Sequence, residues 1–282
     1  MSFKNIFSLV LGLVLVVLSG LWSSTIANTY TKLSKANDYT YYLTHTENNR
    51  FGLKDDWSGN IISNSKIEIS STEKDSATLD IEKIFTVESI TGEVLFKLTQ
   101  PLLVDRVSRH NLPNITDKTG IAYSDFPADT QKTDYVWWPA TFGSPFNMKF
   151  IGETRINNLL VYHFQSLSIT LDDTSGYAFL PLVPEKYKVL STASIDAFIE
   201  PVTGTLIDYA DKGVSFYSSD SIQRYWDIAQ WSNQFTKSVV EENINGVKSK
   251  IFTFTLHKSI IPSFIFFLGI LLIFSPIILK KK

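Results

Sequence analysis

The stretch before the terminal lysines leaves this chain few choices. From Ile260 to Leu279 no residue carries a charge, and Lys280, Lys281 and Lys282 follow directly. About 20 uncharged apolar residues match the hydrocarbon thickness of a bilayer, and a lysine cluster behind them acts as a stop on the cytoplasmic side. Pro262 falls in the first turn of the expected helix, where its missing N–H costs little, and Pro276 falls in its last. A buried core helix would not be apolar on every face. The segment predicts a transmembrane helix.

The other end is less decided. Ile6 to Ile26 is also free of charge, long enough to span. The competing reading is a cleaved signal peptide, with Lys4 ahead of the apolar core and Thr25-Ile26-Ala27 as a small-residue cleavage site. We favour the retained anchor. Lys4 and Lys280 to Lys282 then put both termini in the cytoplasm by the positive-inside rule, with residues 28–257 outside. The charges fit this partition. All 28 acidic residues lie between Asp38 and Glu242, while five of the 26 basic ones flank the spans. The expectation is a two-pass protein of the plasma membrane with an extracellular middle.

Composition removes several classes. With no cysteine and a net charge of −2, disulfide scaffolds, thiolate metal sites and Cys nucleophiles are out, and a nucleic-acid binder would carry a basic excess. The apolar and aromatic content is too high for a disordered chain.

Between the spans, short β-branched and aromatic runs are punctuated by Gly, Pro, Asn and Asp. Lys66 to Ile69 alternates, as do Ile81, Lys83, Phe85 and Val87; Leu159 to Gln165 and Leu167 to Leu171 give further strands. Ile222, Arg224, Trp226 and Ile228 would share one side of another. Val87-Glu88-Ser89-Ile90-Thr91-Gly92-Glu93-Val94-Leu95 matches Ile199-Glu200-Pro201-Val202-Thr203-Gly204-Thr205-Leu206-Ile207, a Thr-Gly hairpin read as a duplicated structural unit rather than convergent turn chemistry. Ser238 to Glu241 forms a capping box, predicting a helix from about residue 239 into the second span, with Gly246 as a kink. The fold expected is mainly β: an antiparallel outer domain, as two related lobes or a curved half-barrel, between two transmembrane helices. The boundaries read 1–27 anchor, 28–237 β domain, 238–258 juxtamembrane helix and 259–282 second span.

Chemistry is sparse. His45, His110, His163 and His257 show no metal-ligand spacing. His163 reads as a surface or satisfied core histidine. No G-x-S-x-G elbow or phosphate loop occurs; Ser144 follows Gly143 but precedes Pro145. Asp55-Asp56 and Asp172-Asp173 read as turn aspartates, too few for calcium. Asn114-Ile115-Thr116 is an acceptor sequon common by chance. One aromatic cluster stands out, Tyr135, Trp137, Trp138, Phe142, Phe146 and Phe150. It is either the plug of a β core, the reading we favour, or a ligand or membrane contact built on Tyr135, Trp137, Trp138, Phe142 and Phe146. Gly176 to Pro184 poses the same choice.

The run Phe150-Ile151-Gly152-Glu153-Thr154-Arg155-Ile156-Asn157-Asn158-Leu159-Leu160-Val161-Tyr162-His163-Phe164 resembles a signature of a doubly anchored surface-protein family of actinobacteria and archaea, the porin PorA family, otherwise a domain of unknown function. The Ile199 to Gly204 turn, the helix opening at Ser238 and the span at each end resemble it too. The resemblance implies structural rather than catalytic motifs. Where an acidic residue is expected after Tyr135 to Trp138, this chain has Pro139-Ala140, and the cysteines of some relatives are missing. Spacing of strand and hairpin is also similar, at the level of fold, to lipid-carrying half-barrels of LolA and LppX type.

The function expected is that of a non-enzymatic, membrane-anchored surface protein without cofactor or metal, used for envelope structure or partner binding. Its partners would be the bilayer and a lipid or another envelope protein, not nucleic acid. Lipid or hydrophobic-ligand transfer, and an oligomeric channel, are the alternatives.

Overall fold

The computed structural model describes residues 3–34, 38–52, 54–166, 168–178, 180, 187–219 and 223–279. Leu167, Ile222, Phe179, Pro181 to Pro184 and the terminal lysines, all used in the sequence reading, lie outside the described residues. Two compact units emerge, residues 1–33 with 246–282, and residues 34–245.

The first unit is helical. Helix α1, Phe3–Leu21, passes through a π-helical turn, Trp22–Ile26, into α2, Ala27–Thr31. Helix α3, Lys237–Thr255, belongs to this unit from Gly246 on and passes through a second π-turn, Leu256–Ile260, into α4, Ile261–Leu279. Both helical runs are long and apolar enough to cross a membrane. They run antiparallel, because Gly12 meets Gly269, Ser19 meets Pro262 and Trp22 meets His257. A Cβ on Gly12 would lie 2.6 Å from the Gly269 carbonyl oxygen, so small residues let the backbones approach. The π-turn shifts the hydrogen-bond ladder, with Ile261 N–H on the Leu256 carbonyl. The His257 carbonyl then faces Pro262, which has no N–H. Trp22 Nε1 donates to that orphaned oxygen at 3.1 Å, and Ser19 Oγ donates to the Pro262 carbonyl at 2.8 Å. The His257 ring stacks on those of Trp22 and Tyr30. Gly246 lies inside α3, and the irregular turn comes further on, just before Pro262.

The second unit is one antiparallel sheet. Its strands are β1 Tyr39–Asn49, β2 Ile61–Glu73, β3 Thr78–Glu88, β4 Val94–Asp105, β5 Asn111–Leu112, β6 Tyr135–Trp137, β7 Phe146–Ile156, β8 Leu159–Ser166, β9 Ile169–Asp172, β10 Lys188–Glu200, β11 Thr205–Ser218 and β12 Arg224–Phe235. Among the described residues the order is β5-β4-β3-β2-β1-β12-β11-β10-β8-β7-β6, with β9 on β10. The chain therefore starts in the middle of the sheet, walks to one edge, crosses to the other and walks back.

That crossing curls the sheet into a half-barrel, and residues 122–124 tie its two edges together. Ala122 accepts from Asn111 N–H at 2.8 Å, and Ser124 N–H donates to Arg109 at 3.0 Å, on the β5 side. Tyr123 N–H donates to Val136 at 2.8 Å and its carbonyl accepts from Trp138 at 2.9 Å, on the β6 side. Side chains reinforce the seam: Gln100 Nε2 donates to Ala140 and Phe142 carbonyls, Lys83 Nζ to those of Ser124 and Trp138. Among the described residues the rest of β4 pairs with no further strand; it carries a bulge at Leu95, opposite Val87 and Glu88 of β3, together with Lys97 and Pro101, features that discourage strand addition.

Alternation sorts the two faces. Ile67, Ile69, Ile81, Phe85, Ile195, Ile199 and Ile207 are buried on the inner face, whereas Lys66, Glu68, Asp80 and Glu82 lie on the outer one. One continuous sheet rules out two separate lobes. The Thr-Gly turns after β3 and β10 both hold glycine at positive φ, +85° at Gly92 and +69° at Gly204, and the two halves of the sheet are traversed in the same sense. The α3 cap is also corrected. Thr236, not Ser238, accepts from Val239 N–H through its hydroxyl and from Val240 N–H through its carbonyl. A bulge leaves Ile228 and Ala229 both buried on β12, breaking the alternation expected there.

Candidate functional site: the inner face of the curled sheet

Inward-pointing residues of neighbouring strands fall into transverse rows. One row is polar. His45 on β1 stands opposite Asn233 on β12, which stands opposite Asp211 on β11, and Ser63 on β2 completes it. All four are buried. Asn233 Nδ2 donates to Asp211 at 2.8 Å, and Asn233 Oδ1 lies 2.9 Å from His45 Nδ1. Tyr209 OH donates to the other Asp211 oxygen at 2.8 Å and takes its own bond from Thr141. Every proton in the chain Thr141, Tyr209, Asp211, Asn233, His45 thus points toward Asp211. The same polarity places the neutral His45 proton on Nδ1, leaving Nε2 toward Glu47 at 3.7 Å.

Burial raises the Asp211 pKa, with the Asn233 and Tyr209 bonds pulling against it. Burial opposes charge on His45, but the Glu47 carboxylate and Asn233 together carry its pKa above the usual value. A second polar group lies further along the inner face. Ser191 and Ser215 hydroxyls are 2.8 Å apart, and Tyr177 OH reaches Ser215 at 3.1 Å. Burial there pushes Tyr177 up to about 12 and raises Asp173. Asp172 and Asp55 do cap turns, through Thr174 N–H and Gly52 N–H; Asp173 instead is half-buried beside Ser191.

The five aromatic residues singled out from the sequence are buried, Tyr135 at 9%, Trp137 at 5%, Trp138 at 4%, Phe142 at 7% and Phe146 at 0% exposure. The sequence reading missed their hub, Phe126, whose ring lies 5.3 Å from Tyr135, 5.5 Å from Trp137 and 4.8 Å from Phe164. Trp137 Nε1 donates to Ser124 at 3.0 Å, so the cluster packs beneath the seam. Membrane contact by these five would require unpacking it. His163 sits on the outer face, bonded to Asp196 at 2.7 Å and stacked on Phe198. Among the described residues no His, Cys, Asp and Glu group has the spacing to hold a metal ion.

The family model of Porin PorA matches residues 5–276. The chain belongs to the Porin PorA family. The match runs from within α1 to within α4, so the PorA pattern takes in both apolar helices and the whole curled sheet with its polar row. No curated protein matches the chain. Among solved structures, a 12:0-ACP thioesterase from Umbellularia californica aligns over 79% of this PorA chain and 89% of its own at 11% identity, with a TM-score of 0.14. A likeness that weak carries no argument.

Proposed function

We propose that this protein is a two-pass plasma-membrane protein whose β unit is a non-catalytic binding or structural module outside the cell. The observation that carries this reading is the helix pair. Two apolar helices lie antiparallel in contact, joined by the Trp22 and Ser19 hydrogen bonds, as expected of a hairpin anchor in lipid. The positive-inside rule then puts Lys4 and Lys280 to Lys282 in the cytoplasm.

The polar row supports a non-catalytic role, because Thr141, Tyr209, Asp211, Asn233 and His45 Nδ1 are hydrogen-bonded in one chain. The family name contains the word porin, but the outer face of this sheet argues against a transmembrane barrel. Lys66, Glu68, Asp80, Glu82, Asp196 and Lys212 lie on it, where a lipid-facing wall would be apolar. The test is a protease tag placed after Lys282. It should survive proteolysis of intact cells while the β unit is digested, and loss of the tag would overturn the orientation.

A further inference from the structure

Two buried cations face the seam with no ion-pair partner among the described residues. Lys83 on β3 is 2% exposed, and Arg109, after β4, is 6% exposed with φ +65°. Lys83 Nζ donates to Ser124 at 2.6 Å and Trp138 at 3.2 Å, and Arg109 Nη1 donates to Phe126 at 2.7 Å. Ser124 and Phe126 are two residues apart, so their acceptors lie no more than about 7 Å apart along the chain. Among the described residues neither cation forms an ion pair, and Arg109 Nε is buried without an acceptor. The carboxylate whose charge acts on both is half-buried Asp125. Buried charges are ordinarily paired, because desolvation otherwise costs several kcal/mol per ion. Two cations against one carboxylate leave the group short of an anion.

The neighbouring rows say what kind of anion fits. Lys83 shares its row with Tyr39, Ile69 and Gln100, and Tyr39 feels both Arg109 and Asp125. The next row is Tyr41, Ile67, Phe85 and Leu98. Polar donors therefore stand at one side of a hydrocarbon wall. Tyr39 and Tyr41 are partly exposed on this inner face. A bare inorganic ion would be better served by donors on all sides.

We propose that this end of the curled sheet binds the anionic head group, carboxylate or phosphate, of an acyl amphiphile, with Arg109 and Lys83 on the head and Tyr41, Ile67, Phe85 and Leu98 along the chain. The inference is independent of membrane orientation, so its failure would leave the anchor reading untouched.

The experiment is equilibrium dialysis of full-length protein in a neutral maltoside detergent against radiolabelled palmitate, with inorganic phosphate as competitor. Palmitate should bind. Arg109→Gln should weaken it about tenfold, as loss of one charge-assisted contact predicts. Asp125→Asn, which removes the competing carboxylate from a half-buried position, should tighten it severalfold. Absence of binding overturns the proposal, and so does binding that Asp125→Asn leaves unchanged, even if Arg109→Gln fails to fold. Displacement by phosphate at equal concentration would make the site one for free oxyanions and overturn the amphiphile assignment.

Discussion

Asp211 fixes the orientation of Asn233. A buried carboxylate accepting from Tyr209 on one oxygen receives the Asn233 amide N–H on the other, so the amide oxygen is left for His45. The side chain of Asp211 on β11 thereby sets the tautomer of a histidine two strands away.

Asp211→Asn tests this polarity. An amide at 211 brings its own N–H₂ against donors, and turning Asn233 over to compensate breaks its bond to His45. The expected cost is about 1–3 kcal/mol, that of an unsatisfied buried polar group. It would appear as a lowered midpoint in thermal unfolding of full-length protein in detergent. An unchanged midpoint would contradict the assigned direction of the chain.

The row also makes stability depend on pH. The His45 pKa is raised in the folded state, so its contribution is full below the unfolded value of about 6.5 and is lost as pH rises through the folded value. Asp211, also raised, acts in the same direction over its own range. Glu47→Gln removes the carboxylate that offsets burial at His45. Between about pH 6 and pH 8 the variant should lose less stability with rising pH than the parent. Parallel melting curves would refute the assignment.

The two Thr-Gly turns should respond differently to alanine. At Gly92 a Cβ meets open space, so Gly92→Ala costs only the positive φ, about 1–2 kcal/mol. At Gly204 the Cβ would strike the Phe126 and Pro127 carbonyls, adding roughly 1–3 kcal/mol of overpacking. Urea unfolding of the two variants should rank them in that order.

Gln100 holds the seam through two carbonyls, Ala140 at 2.9 Å and Phe142 at 2.8 Å. Gln100→Leu should leave both unpaired and loosen residues 138–144. Amide exchange there should accelerate while β10 and β11 keep their protection. Uniform exchange across the unit would mean that Gln100 is not a local tie.

In the helix pair, Trp22→Phe keeps an aromatic ring beside His257 but removes the indole N–H. The expected loss is about 0.6–2 kcal/mol, the range for interhelical hydrogen bonds in membranes. Gly12→Leu, forced against the Gly269 carbonyl, should be worse. Thermal inactivation in detergent measures both, and a Gly12→Leu protein as robust as the parent would refute the close approach.

Much of the β unit could be read from period-2 alternation, because a half-buried strand must show it. Ile81, Lys83, Phe85 and Val87 do share the inner face, lysine included. The two apolar helices were legible from length and missing charge. The closing segment was not, since residues 113–134 follow no period and pair only where the curl brings both edges to them. The polar row escaped for another reason. Ser63, Asp211 and Asn233 look by composition like turn residues, and only their parity with Ile67, Tyr209 and Phe235 reveals that they point inward. Phe126, isolated between Asp125 and Pro127, gave no sign of being the hub.

The chain's route through the sheet gives the helix pair a further consequence. β1 and β12, the first and last strands, are neighbours, and α1 and α4, beyond them, are fastened to each other. While the helices stay paired, the β unit is in effect a closed loop, unable to separate its ends even when denatured. By analogy with a covalent cross-link, shrinking the denatured ensemble in this way is worth roughly 5 kcal/mol for a loop of this size. The anchor would then act as a staple on the body it carries.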